Sequence, residues 1–151
     1  MKKPKDNVDF ILFAIKQAKE AETAGFSRNE CCRNLKTALH QYWQNKELGL
    51  HGQAHKKDIP RSKNARNKPL SALQVEHVVP LMWFVNEFIK MNPLKKHKVE
   101  KILKTHFKVL LVTKKEHDQL NASGARSTMP DDWNGKNIWA RYEKVGIEPD
   151  I

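Results

Sequence analysis

Cysteine is scarce in this sequence, and long apolar runs are missing from it. The two cysteines, Cys31 and Cys32, are adjacent, so the chain has no CxxC pair for a zinc ribbon and no basis for a disulfide framework. The longest apolar run, Val78 to Val85, is far shorter than the ~20 residues that a membrane span needs. The first residues also lack the apolar stretch of a secretory signal. These absences argue against membrane and secreted proteins and predict a cytoplasmic protein.

Acidic residues are few in comparison with basic ones. The chain has 28 Lys and Arg residues against 17 Asp and Glu residues, which gives a formal net charge of +11. Such an excess favours a polyanion as partner, and nucleic acid is the commonest polyanion. The alternative is a basic protein whose charge serves only its solubility.

The length of 151 residues predicts one domain that spans residues 1–151. Its first part, residues 7–48, is expected to form a helical hairpin, because apolar residues recur there at spacings of three and four. Gly25 predicts the end of the first helix. Ser27 and Glu30 then form a capping box, S-x-x-E, which predicts the start of the second helix.

Residues 50–69 are rich in basic side chains and poor in large apolar ones. This composition predicts a basic loop or extended arm, either a solvated connection or a strip that contacts phosphates. We expect its cations to bind nucleic acid through the backbone; they are Lys56, Lys57, Arg61, Lys63, Arg66 and Lys68.

Residues 70–151 are expected to contain the remaining elements. The predicted order is a short strand within Leu73–Val79, helices over Leu81–Met91 and Leu94–Thr105, a strand over Lys108–Val112, a helix over Thr113–Asn121 that a second capping box begins, and a last helix over Asn137–Lys144. Residues 122–151 thus form a C-terminal turn and helix.

Two pairs of residues in this part carry groups suited to chemistry. Glu76 and His77 end the first strand, where a carboxylate can hold a divalent cation and an imidazole can take a proton from water. Their side chains point to opposite faces of an extended chain unless a bend or bulge brings them together. His117 and Asn121 lie four residues apart, on one face of the helix after the second strand.

The run Glu76-His77-Val78-Val79-Pro80 resembles the (D/E)HxxP motif of the HNH nucleases, which have a ββα-metal fold. The run from Val109 to His117 is similar to their second motif, in which a strand leads into a helix that bears a His or Asn ligand. The resemblance covers residues 70–121. It implies that Glu76 and His117 are metal ligands, with Asn121 an added or alternative ligand, and that His77 is the general base.

The expected fold is therefore α+β and mainly helical: an N-terminal helical hairpin packs on an HNH-like ββα-metal core with a helical insertion between its strands. The resemblance implies a DNA endonuclease that uses one divalent metal ion, Mg²⁺ or Mn²⁺, and leaves a 5′ phosphate. RNA is the alternative substrate. Restriction, phage genome processing and toxicity all fit this activity; a toxin would need an immunity protein, and the start at Met1 favours a stand-alone enzyme. The oligomeric state is left open.

The sequence departs from the family pattern at Lys108, where the family has the Asn that opens its second strand. A cation at this position could displace the metal ion. The departure keeps a second hypothesis open, a catalytically inactive nucleic-acid-binding protein that retains the HNH-like fold. A third hypothesis is a basic protein that docks on RNA or the ribosome without any use of these residues.

Overall fold

The computed structural model describes residues 6–42, 56–124 and 126–151, and these residues are mainly helical with one small antiparallel sheet. The expected α+β class is confirmed. In chain order the elements are α1 (Asn7–Thr23), α2 (Arg28–Tyr42), β1 (Leu73–His77), α3 (Leu81–Lys90), α4 (Lys96–His106), β2 (Val109–Thr113), α5 (Lys114–Ala122) and α6 (Ala140–Lys144). None of the helices in these ranges is long and apolar enough to cross a membrane.

Helices α1 and α2 form the predicted hairpin. α1 ends just before Gly25, whose positive φ of 90° suits glycine at the end of a helix. The capping box is also present, since the Glu30 carboxylate accepts from the Ser27 N–H at 3.2 Å and the Glu30 N–H lies 3.4 Å from Ser27 Oγ. The end expected for the second helix, residues 43–48, lies outside the described residues.

Strands β1 and β2 pair antiparallel without interruption, from Leu73 opposite Thr113 to His77 opposite Val109. One face of this sheet packs on the helices before β2: Leu73 and Leu111 belong to the larger apolar cluster together with residues of α1, α2, α3 and α4. The other face carries Leu110, which packs with residues of α5 and α6 in a smaller cluster. The sheet therefore separates two layers of helices.

The basic segment is not a solvated loop where the structure describes it, from Lys56 onward. It runs along the free edge of β2, where the Ser62 N–H donates to the Leu111 carbonyl at 2.9 Å and the Leu111 N–H donates to the Pro60 carbonyl at 2.8 Å. Ile59 and Ser62 are buried. The reason is that β2 is buried over most of its length, so its backbone groups need partners on both edges. Residues 50–55 lie outside the described residues.

The C-terminal segment is held against the rest of the chain at two places. The Trp133 ring meets the Trp83 ring edge-on at 5.3 Å, and His106 Nε2 donates to the Gly135 carbonyl at 2.7 Å. Further on, the Asp150 N–H donates to the Arg61 carbonyl at 2.8 Å. These contacts fix α6, which lies between them in the chain, against the sheet.

Glu116 connects three parts of the fold near the start of α5. Its carboxylate accepts from the Thr113 N–H at 2.9 Å as part of a capping box and from the buried Ser62 hydroxyl at 2.6 Å. The side chain is almost fully buried. Glu116 therefore ties α5 to β2 and to the segment along the edge of β2.

Glu116→Ala is expected to lower the free energy of unfolding by about 2 to 4 kcal/mol, because it removes the carboxylate half of the capping box and leaves the buried Ser62 hydroxyl without its acceptor. Urea unfolding followed by circular dichroism measures this change. Gln119→Ala, at an exposed position of the same helix, is the control and should change the stability by less than about 0.5 kcal/mol. Equal stability of the two variants would contradict the assigned role of Glu116.

Candidate active site

Glu76 and His117, 41 positions apart in the sequence, meet on the α5 side of the sheet. The antiparallel register places Glu76 opposite Leu110, and β2 leads at Thr113 directly into α5, which folds back over that face. His117 Nδ1 and Glu76 Oε1 are hydrogen-bonded. The order of strand, strand and helix thus brings the carboxylate and the imidazole together.

Asn121 completes a cluster of three side chains. It lies one turn after His117 on α5, and its side-chain nitrogen is 3.1 Å from His117 Nε2. The Glu76 side chain is 15% exposed and the His117 side chain is 32% exposed. The cluster is therefore partly screened from water but open to a small ion or a phosphate group, and its members are the residues that the sequence predicts as metal ligands.

Arg141 is a residue of this site that the sequence analysis did not identify. It lies on α6, its side chain is only 2% exposed, and its guanidinium is 3.8 Å from the second oxygen of Glu76. The same group donates to the His77 carbonyl, and at 3.3 Å to the Arg126 carbonyl. Burial lowers the pKa of Arg141, although the nearby Glu76 acts in the opposite direction. No motif marks Arg141 in the sequence, because only the docking of α6 brings it to Glu76.

His77 does not join the cluster. Its ring lies on the opposite face of the sheet, 5.7 Å from the Phe107 ring and 5.9 Å from the His40 ring. The physical reason is the regular pairing of β1, which has no bulge, so that successive side chains alternate between faces. The expectation of a single site containing His77 with Glu76 and His117 is corrected here.

The environment of His77 also differs from that of an accessible base. Burial, with smaller contributions from His40 and Arg141, lowers the pKa of its imidazole from 6.5 to about 4. The ring is therefore neutral near pH 7 because protonation would place a charge in an apolar layer. In this position the His77 ring packs against Phe107, and its backbone carbonyl accepts a hydrogen bond from Arg141.

Four of the six cations expected to bind nucleic acid make contacts within the chain. Lys56 donates to the Leu70 and Leu73 carbonyls, and Arg61 donates to the Ala65 and Lys68 carbonyls. Lys63 pairs with Glu148, and Arg66 makes two bonds with Asp150 at 2.8 and 3.0 Å. Lys57 and Lys68 are exposed. The segment is thus largely occupied in holding the fold together.

The cluster fits a hard divalent cation in its donor types. Glu76 offers carboxylate oxygens, Asn121 an amide oxygen and His117 an imidazole nitrogen, a set in which Mg²⁺ or Mn²⁺ would complete its coordination with water. Within the described ranges, the structure contains no group of three His, Cys, Asp or Glu side chains suited to a metal ion. The amide of Asn121 is therefore needed as a third ligand, and both Glu76 oxygens already face partners, His117 and Arg141.

No family model, no curated protein and no solved structure matches this chain.

Proposed function

We propose that this protein is a metal-dependent endonuclease that hydrolyses DNA phosphodiester bonds at the cluster of Glu76, His117 and Asn121. The observation that carries the proposal is the hydrogen bond between Glu76 and His117. A strand–strand–helix unit brings these two residues together from distant parts of the sequence. This is the arrangement that the resemblance to HNH nucleases implies for two metal ligands. The excess of basic residues supports a polyanionic substrate.

In this proposal Glu76, His117 and Asn121 would hold one divalent cation. When bound, such a cation polarises a phosphoryl oxygen and lowers the pKa of a coordinated water. In this structure Glu76 lies at Nδ1 and Asn121 at Nε2 of the same imidazole, so all three side chains would have to give up these hydrogen bonds and rearrange to share one cation. Arg141, next to Glu76, supplies a positive charge that favours an anionic phosphate at the site.

The position of His77 changes the assignment of the base. The resemblance implies that His77 activates the attacking water, but its ring would first have to move through the sheet to reach the cluster. A water at the cluster would lie next to solvent, because the His117 side chain is 32% exposed, so bulk water could take its proton without any movement of the His77 ring. We therefore propose that His77 supports the site through its backbone carbonyl, which accepts from Arg141.

The same geometry also supports a second candidate, a nucleic-acid-binding protein without catalytic activity. The observations in its favour are the buried ring of His77 and the guanidinium of Arg141, which lies 3.8 Å from the Glu76 carboxylate and so opposes a second cation there. In this case Glu76 and Arg141 form a structural ion pair.

Nicking of supercoiled plasmid DNA decides between the two candidates. The purified protein is expected to convert supercoiled plasmid to the open circular form with Mg²⁺ or Mn²⁺, and EDTA is expected to abolish the conversion, because it removes the divalent cation that the proposed chemistry requires. The control is the same preparation with Ca²⁺ in place of Mg²⁺, scored for binding as well as cleavage. Binding of DNA without nicking in any metal would overturn the endonuclease proposal and favour the inactive binder.

A further inference from the structure

Helix α4 and its flanking residues form a strongly basic stretch of the described chain. Between positions 95 and 108 the sequence contains six lysines and one glutamate, Glu100. Lys96, at the start of the helix, is paired with Asp6, Asp9 and, at 4.0 Å, Glu100. The positive charge of the other lysines is therefore not offset from within the helix.

Three of these lysines are spaced three residues apart along the solvent side of α4. Val99 and Leu103 are the residues that the helix buries. Lys98, Lys101 and Lys104 are exposed, and they span about 9 Å along the helix axis at a rise of 1.5 Å per residue. Exposed Lys108 follows shortly after the helix ends. We call these four residues the α4 lysine row.

The four lysines of the row lack carboxylate partners. Among the described residues, none of the four forms a salt bridge, whereas five other lysines do, namely Lys63, Lys90, Lys96, Lys114 and Lys144. Like charges at neighbouring positions of a helix repel one another and slightly destabilise it. An external anion that spans several of these lysines relieves this repulsion.

One backbone contact joins the end of the row to the end of β1. The carbonyl of Lys108 accepts from the Val78 N–H at 3.0 Å, and Val78 comes two residues after Glu76. The row therefore starts on α4, in the helix layer on the face of the sheet opposite the Glu76 cluster, and reaches the end of the sheet at which β1 ends.

We propose that the phosphate backbone of a nucleic-acid duplex docks on the α4 lysine row. Lysine ammonium groups are compact point charges suited to phosphate, and the row offers no planar side chain that would read base edges. Binding there is consequently independent of sequence and is driven by the release of counterions. The proposed binding on the row does not depend on the proposed endonuclease function.

The test compares two variants with the same change in net charge, each carrying four Lys→Gln substitutions. The first changes the row, at Lys98, Lys101, Lys104 and Lys108. The matched control changes four lysines that are paired with carboxylates, namely Lys63, Lys90, Lys114 and Lys144. Binding of a fluorescent duplex is followed by anisotropy in EDTA, over salt concentrations from about 50 to about 200 mM. Circular dichroism checks that both variants are folded.

The row variant is expected to bind at least about tenfold more weakly than the wild type in about 0.1 M salt. The slope of log K against the logarithm of the salt concentration should be smaller in magnitude by about 3. The control should keep the slope of the wild type to within about 1. Equal losses in the two variants would overturn the proposal, since net charge alone would then explain the binding. No loss in the row variant would overturn it as well.

Duplex RNA in the same assay distinguishes the source of the backbone. If the row variant loses affinity for RNA and DNA equally, the result supports docking through the phosphates that the two duplexes share. If it loses affinity for only one of them, that duplex is the ligand. Because EDTA prevents any metal-dependent cleavage, this result is separate from the nicking assay. Binding on the row without nicking would overturn the endonuclease proposal and would leave the proposed docking surface unaffected.

Discussion

Glu76→Gln is expected to lower metal-dependent nicking by about 100-fold or more, because the variant loses the only carboxylate of the ligand cluster while keeping nearly the same shape. His117→Ala should lower it to a similar extent, since the imidazole is the second proposed ligand and lies against Glu76. The rate of conversion of supercoiled to open circular plasmid at saturating Mg²⁺ measures both effects. DNA binding in EDTA should change by no more than a few-fold.

Gln74→Ala is the matched control for Glu76→Gln. Gln74 lies two residues earlier on β1, so it shares the face of the sheet with Glu76, and it is exposed. Its replacement should leave nicking at the wild-type rate. Wild-type nicking by Glu76→Gln would mean that the cluster is not the active site.

His77→Gln separates the two assignments of the base. With the His77 ring buried on the opposite face, the folded variant should nick DNA to within about tenfold of the wild type, whereas loss of a general base typically costs about 100-fold to 10,000-fold. A loss as large as that of Glu76→Gln, in a variant shown to be folded, would mean that the ring turns into the site and acts there as the resemblance implies.

The protein is expected to lose about 3 kcal/mol of unfolding free energy through His77 as the pH falls from neutral to about 4. Burial lowers the pKa of this imidazole from 6.5 to about 4 in the folded state. Below pH 6.5 the imidazole is therefore protonated in the unfolded chain, whereas in the folded chain it stays neutral down to about pH 4. The contribution is fully present above this window and decreases by about 1.4 kcal/mol per pH unit within it.

Urea unfolding at a series of pH values measures this loss. His77→Gln removes the group that titrates. The free energy of unfolding of this variant should therefore fall by up to about 3 kcal/mol less than that of the wild type across the same pH window, whatever its stability at neutral pH. His97→Gln, which replaces an exposed histidine of α4, should keep the slope of the wild type. Parallel curves for wild type and His77→Gln would show that the imidazole is not held neutral by burial.

Local sequence patterns were sufficient for most helices and for both strands. The spacing of apolar residues predicted α1, and two capping boxes predicted where α2 and α5 begin, because these signals act over a few neighbouring residues. The strand–strand–helix order followed from the same local patterns. The pairing of Glu76 with His117 was expected from that order and from the family resemblance, and the structure brings the two side chains together.

Two features depended on contacts that no local pattern encodes. The ring of His77 faces away from Glu76 because β1 pairs with β2 in an unbroken ladder, and a sequence does not show whether a strand contains a bulge. The cations of residues 56–68 are largely occupied because this segment completes the buried edge of β2 and meets Glu148 and Asp150. Charge density alone does not distinguish such paired cations from free ones.

The sequence by itself therefore determined the secondary structure, the basic character and the candidate ligands of this protein. Only the tertiary structure decided which of the charged side chains are available to a partner. The docking of α6 brings the buried Arg141 to Glu76, and Lys98, Lys101 and Lys104 stay exposed and form no salt bridge with the described residues. The physical reason is that the availability of a charge depends on its neighbours in space, which the long-range packing of the elements sets.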